Sequence, residues 1–222
     1  MTVRLITHMG TDLTVVNAAR VSFDKESDWD SIPFGGKVEG YLSAKDEKLI
    51  EYLAKHNHWT PFGHCFAQFR IKAPIFVARQ LIKHQVGLVW NEISRRYVDH
   101  EPDHWKPGYW RARADNKKQG SSEEPVDNQE SMQHIYADAV RHARDAYNFL
   151  LKSGVCPEQA RSVLPQSMNT EWYWSGSLAA FARVCQLRIS DDAQKETREI
   201  ATAIHKEMQQ LFPISWRSLC GI

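Results

Sequence analysis

The densest run of reactive side chains lies between Arg79 and Tyr97: Gln80, Lys83, His84 and Gln85, then Glu92, Ser94, Arg95 and Arg96. On a helix, Gln80, Lys83 and His84 share one face, because positions i, i+3 and i+4 are neighbours. That face carries amide, ammonium and imidazole groups at a helix end, and the chain then turns at Gly87. An extended Ser94-Arg95-Arg96 points Ser94 and Arg96 to one side and Arg95 to the other. Such a set suits a phosphate, since a guanidinium offers two parallel donors and Ser and backbone N–H groups add neutral ones. Glu92 can accept from a ribose hydroxyl or fix an arginine. Taken alone, the same face can also be a solvated surface, and paired arginines can be plain ion-pair donors.

Other chemistries find little support. There is no GxGxxG and no phosphate loop, so no Rossmann-type dinucleotide domain is expected. Cys65, Cys156, Cys185 and Cys220 form no CxxC pair, so no metal site is expected. No cysteine has an activating partner beside it; Cys156 precedes Pro157 without an adjacent histidine. Lys+Arg number 28 and Asp+Glu 27, a net charge of +1, which argues against a generic nucleic-acid binder. The N-terminal segment has no apolar core of the secretory type and no apolar run is long enough to span a bilayer. A cytoplasmic protein with reduced cysteines is therefore expected.

The elements that must position these residues read as follows. Val3–Ile6 and Leu13–Val16 look like strand material. Ser43 and Asp46 form a capping pair for a helix over about 44–56, with Leu49, Ile50 and Leu53 on its apolar face. Phe66–Ile71 alternates as a strand does, and Pro74 suits the first position of a helix carrying Ile75, Phe76, Ala78, Leu81 and Ile82. Residues 99–127, rich in Pro, Gly and charge, read as a long loop or insertion. A helix over about 129–153 with Ile135, Ala139, Ala146 and Leu150 on one face stops at Gly154. Cys156–Leu164 reads as a short helix ended by Pro165, and Trp172-Tyr173-Trp174 as strand. Ser177 caps a helix with Leu178, Phe181, Ala182 and Cys185 inward. Asp191 and Asp192 open a last helix with Ile200, Ile204 and Met208 on one face. Interleaved helices and strands in 222 residues imply one mixed α and β domain spanning the whole chain.

Several blocks, in this order, resemble the flavin-dependent thymidylate synthase (ThyX) family. They are Ala18–Phe23, His58-Trp59-Thr60-Pro61-Phe62, Lys72–Gln80, Lys83-His84-Gln85, Asn91–Tyr97, Ala160–Pro165, and Leu187-Arg188. The family's Arg-His-Arg triplet is Lys83-His84-Gln85 here, one extra residue stands near Trp90, and Leu88 replaces a usual Ser. The family's flavin-side Asn positions near Ser177 and Arg183 are also changed.

The resemblance implies an α+β fold, an antiparallel sheet flanked by helices, assembled as a homotetramer with active sites shared between subunits. It implies conversion of dUMP to dTMP, with methylenetetrahydrofolate as carbon donor, FAD as hydride carrier and NADPH as reductant. In that reading Arg188 is catalytic, set against the uracil edge. Gln80, Lys83, Glu92, Ser94, Arg95, Arg96, Arg161 and Arg188 hold dUMP. Ser22, His58, Thr60, Lys83, His84, Gln85, Glu92, Ser177 and Arg183 hold FAD. Trp59 and Trp90 can stack on ring systems or pack in the core. The altered triplet keeps open a hydroxymethylase or a UMP methylase. A nucleic-acid module built on Trp105, Tyr109, Trp110, Arg111, Arg113, Lys117 and Lys118 is a distant alternative, its charge diluted by acidic neighbours.

Overall fold

The computed structural model describes residues 1–34, 37–115 and 121–221, with backbone only for 32–34 and 37–39. Its centre is a four-stranded antiparallel sheet in the order β1-β4-β6-β5, formed by β1 (Thr2–Met9), β4 (Phe66–Pro74), β6 (Asn169–Ser177) and β5 (Leu88–Glu92). A small hairpin, β2 (Asp30–Phe34) with β3 (Lys37–Tyr41), stands apart from it. Eight α-helices, α1 (Asp12–Arg20), α2 (Ala44–Lys55), α3 (Ile75–Leu81), α4 (Gln129–Lys152), α5 (Pro157–Ala160), α6 (Leu178–Arg188), α7 (Lys195–Leu211) and α8 (Pro213–Cys220), and three short 3-10 helices at Val21–Phe23, Pro61–Gly63 and Arg161–Val163 make up the remaining regular elements among the described residues.

Period-2 alternation decides which face of the sheet is dry. Ala67, Phe69, Ile71 and Ala73 of β4 lie opposite Gly176, Trp174, Trp172 and Thr170 of β6, and all eight are buried. Phe181 of α6 meets Phe69 and Trp174 edge-on, with ring centroids 5.2 and 5.4 Å away. Trp90 of β5 stacks on Trp172 at 4.3 Å and meets Trp174 edge-on at 5.6 Å. Trp90 therefore serves packing. The other face is polar: Gln68 donates to Ser175 across 2.9 Å, and Arg70 pairs with Glu171. α6, α7 and α8 add Leu178, Ile200, Ile204, Met208 and Trp216 to a core that also takes Val15 and Val16 of α1, Ile50 and Leu53 of α2 and Leu81 of α3.

Local signals explain most of the elements. The Ser43 hydroxyl accepts from the Asp46 N–H and starts α2, and Ser177 does the same for α6 through Ala180. α4 ends where Gly154 adopts φ +86°. Buried Asp12 caps α8, accepting from the Ile214 and Ser215 N–H groups at 2.9 Å.

Four expectations need correction. Leu13–Val16 is helical, inside α1, because Val15 and Val16 reach the core only from that helix face; tertiary packing overrides their β propensity. Pro74 ends β4 and precedes α3 rather than opening it. α7 is not the last helix, since α8 follows through Pro213. The expected apolar face of α4 is not buried: Tyr147 is that helix's one buried residue, while Ile135 is 64% and Phe149 69% exposed. The 99–127 segment holds no helix or strand among its described residues, as expected, and is pinned to α7 by a buried Arg111–Glu196 ion pair of 2.6 Å. Residues 116–120, including Lys117 and Lys118 of the nucleic-acid reading, lie outside the described residues.

Candidate active site

The turn between α3 and β5 carries the first group of expected residues. α3 ends at Leu81, so Lys83 and His84 sit in a turn rather than on the helix face with Gln80. The turn closes at Gly87, whose φ of +77° and position suit only glycine: a Cβ there would lie 3.1 Å from the Cβ of Ala180. Its carbonyl accepts from the Ser177 N–H at 3.2 Å. Arg183, one turn into α6, donates to the Val86 carbonyl at 2.8 Å.

This arrangement sets His84 against the C-terminal end of α6. Arg188 Nε donates to His84 Nε2 over 2.9 Å. The accepting nitrogen must be unprotonated, which places the ring proton on Nδ1. Burial, followed by the positive charges of Arg188 and Arg183, holds the imidazole below its ordinary pKa, consistent with a neutral acceptor. The Arg188 Nη groups make no hydrogen bond among the described residues, so they remain available for a ligand. Gln80 is half-buried, and its Oε1 is fully buried without a partner.

Residues 94–98 form a turn closed by Tyr97 and Val98 N–H bonds to the Ser94 carbonyl, not an extended segment. Ser94 and Arg96 still share one side, with Arg96 N donating to Ser94 Oγ at 3.3 Å and its guanidinium over the Tyr97 ring at 5.0 Å. Arg95 does not join them. It is 8% exposed and its guanidinium donates to the His100 carbonyl, bracing the following loop. Glu92 Oε1 accepts from Thr170 across 2.6 Å and Oε2 from the Trp90 indole at 3.1 Å. The Thr170 contact spans 78 residues and leaves no local signal in the sequence. Arg161 is exposed, with Nε on the Glu158 carbonyl at 3.1 Å, and meets none of the other expected residues. Ser177 is buried with its hydroxyl in the α6 cap, and Lys83 and Gln85 are exposed.

A second group sits elsewhere. Ser22, His58 and Thr60 line one cavity of about 1000 Å³ between α1, α2 and the turn at 57–61. Its wall includes the exposed rings of Phe23, Tyr52 and Trp59. None of Gln80–Arg96, Arg161 or Arg188 lines it. Within one chain, then, the expected flavin residues are divided: Ser22, His58 and Thr60 line the cavity, Lys83, His84, Gln85, Ser177 and Arg183 gather at the turn before β5, and Glu92 lies at the far end of β5.

Comparison with known proteins gives this geometry a family. The sequence matches the family described as "Thymidylate synthase complementing protein" over residues 4–214. It is 36% identical over 215 residues to the flavin-dependent thymidylate synthase of Thermus thermophilus, covering 96% of this chain and 73% of that protein. It is 35% identical over 219 residues to the Kosmotoga olearia protein of the same name, covering 97% and 88%. Among solved structures, the UMP/dUMP methylase PolB from Streptomyces cacaoi bound with 5-Br dUMP superposes with a TM-score of 0.84 at 26% identity, covering 100% of this chain and 95% of that one. The same methylase bound with 5-Br UMP gives 0.83. The chain belongs to the flavin-dependent thymidylate synthase (ThyX) family.

Proposed function

We propose that this chain converts dUMP to dTMP, taking the carbon from 5,10-methylenetetrahydrofolate. The observation that carries the reading is the 2.9 Å bond between Arg188 and His84. It joins the residue expected at the uracil with one expected at the flavin. One further feature fits the ligands: the aromatic-walled cavity of about 1000 Å³ can take a ring system.

The chemistry supplied by bound FAD is hydride delivery to uracil C6, with NADPH as the electron source. The protein's part is binding and electrostatics. A guanidinium is permanently charged, so Arg188 acts by stabilising negative charge that develops on the pyrimidine, not as a base. His84 fixes its orientation and holds Nε in place. Arg96, Ser94, Arg161, Gln80 and Lys83 bind dUMP, while Arg95 braces the following loop through the His100 carbonyl. Ser22, His58 and Thr60 bind flavin from the cavity, and His84, Gln85 and Arg183 from the turn. Glu92, held by Thr170 and Trp90, takes part in binding the nucleotide and the flavin.

The division of these residues supports a homotetramer whose sites form between subunits. So does the exposed face of α4. The assembly thereby dispenses with a separate dinucleotide domain. A cytoplasmic location accords with the absence, among the described residues, of a helix long and apolar enough to cross a membrane.

The test is anaerobic incubation of the reduced enzyme with dUMP and methylenetetrahydrofolate, followed by mass analysis of the nucleotide. A methylated product is expected; a hydroxymethylated one, or none, overturns the reading. The similarity to a UMP/dUMP methylase favours one alternative, methylation of UMP, which competition between UMP and dUMP distinguishes.

A further inference from the structure

The cavity beside Trp59 has a charge distribution that the roles above leave unused. Four cations line it, Arg20, Lys25, Lys45 and Lys48, and no Asp or Glu does. Arg20 is neutralised by buried Asp46, which it contacts through Nε at 3.0 Å. The three lysines make no ion pair among the described residues. The nearby α2 carboxylates, Glu47 and Glu51, face Arg217 of α8 instead, at 3.9 and 3.6 Å. In a chain whose net charge is only +1, three lysines without ion pairs at one mouth are a local feature, with Asp24 and Glu26 the carboxylates next to Lys25 in sequence. Beside them Phe23, Tyr52 and Trp59 are 75%, 52% and 62% exposed.

An aromatic wall next to unpaired ammonium groups matches a planar ring carrying a polyanionic arm. A compact pyrophosphate is best gripped by forked guanidiniums and backbone amides. Three separate ammonium groups on flexible stems suit anions strung along a flexible arm. We propose that Lys25, Lys45 and Lys48 seat the γ-glutamyl tail of the folate cosubstrate, with its rings against Phe23, Tyr52 and Trp59. The proposal rests on the dTMP-forming reading, which supplies folate as the carbon donor.

The experiment compares tetrahydrofolate monoglutamate with its pentaglutamate by calorimetry on the FAD-loaded protein, which reads binding whether or not product forms. The pentaglutamate is expected to bind about five- to thirtyfold more tightly, since each exposed pair contributes modestly. The preference should shrink as salt rises. In a K25Q/K45Q/K48Q protein, whose circular dichroism verifies folding, the ratio of the two dissociation constants is expected to fall to near one. Equal binding of both folates by the wild type, or a preference that survives the triple substitution, overturns the proposal. So does a triple variant whose weakened affinity is for FAD while the glutamyl preference persists, because the cations then serve the flavin pyrophosphate. A failure of dTMP synthesis with the tail preference intact would count against the reaction and not against this seat.

Discussion

The bond from Arg188 Nε to His84 Nε2 makes a quantitative demand on catalysis. It is a hydrogen bond from a charged donor, a class that contributes about 1.5–3 kcal/mol. Both side chains are half-buried, so solvent confines the effect to the lower part of that range. Removing the acceptor with His84→Ala is therefore expected to lower kcat about ten- to thirtyfold, measured at saturating FAD with flavin absorbance checked. The sign of the pH dependence follows from the same contact. Burial and two neighbouring guanidiniums hold His84 below the ordinary value of 6.5. The neutral acceptor thus persists down through pH 6.5, and kcat falls only at lower pH, where protonation converts Nε2 into a donor facing a donor. His84→Gln presents an amide oxygen at a similar reach without a titrating group. It should recover much of the lost rate and abolish this acid limb. Wild-type kcat in the alanine variant, or an unchanged acid limb in the glutamine variant, would refute the positioning role.

Four other outcomes are expected. Arg188→Ala should abolish nucleotide methylation while leaving the flavin spectrum intact; methyl transfer at near wild-type rate would remove Arg188 from the mechanism. Gly176→Ala should lower Tm by about 2–10 °C, because its Cβ would lie 2.7 Å from the Gly87 carbonyl and 2.4 Å from Leu88 Cδ2, forcing a shift of β5 worth about 1–3 kcal/mol. Asp46 is raised by burial but pulled further down by Arg20, Ser43 and Ser27, to a net value below the ordinary 3.8; its stabilisation is present above that unfolded value and is lost as pH falls through the depressed one, a dependence that urea melts of Asp46→Asn should lack. Ile135→Glu with Phe149→Glu should convert the assembly to smaller species by light scattering and lose activity; an unchanged mass would exclude the α4 face from the interface.

The sequence carried the fold wherever a local signal matched the final environment. Ser43 with Asp46, Gly154, and the alternation of Phe66–Ile71 each specify their element through short-range geometry. Leu13–Val16 misled because β-branched side chains favour strands on average, yet buried Val15 and Val16 gain more from core contact than the helix costs them. α8 was missed although Pro213 opens it and Gly221 closes it; only its cap, Asp12, comes from about two hundred residues earlier. The site divided in the same manner. Ser94 with Arg96 and the opposed Arg95 were readable from residue types and spacing, although a turn rather than a strand produces that division. The bond joining His84 to Arg188 spans 104 residues, and only the fold brings the two together.

α4 is where periodicity and the single chain disagree, and the disagreement has physical content. The spacing of Ile135, Ala139, Ala146 and Leu150 is that of a helix with an apolar stripe, and the helix forms over 24 residues. A helix this long owes most of its stability to packing of such a stripe. Yet Tyr147 is its one buried residue, with its hydroxyl on the Asp99 carbonyl. The helix forms where the periodicity puts it, but the stripe finds no apolar partner within the described residues of this chain. Our proposal that sites form between subunits supplies a partner for that stripe. It also accounts for the separation of Ser22, His58 and Thr60 from the turn carrying His84. A residue whose ligand is completed by another subunit leaves a correct signal in the sequence and an unfinished site in the monomer. If our proposal holds, the exposed stripe on α4 and the divided flavin residues belong to one assembly, so disrupting the first should disable the second.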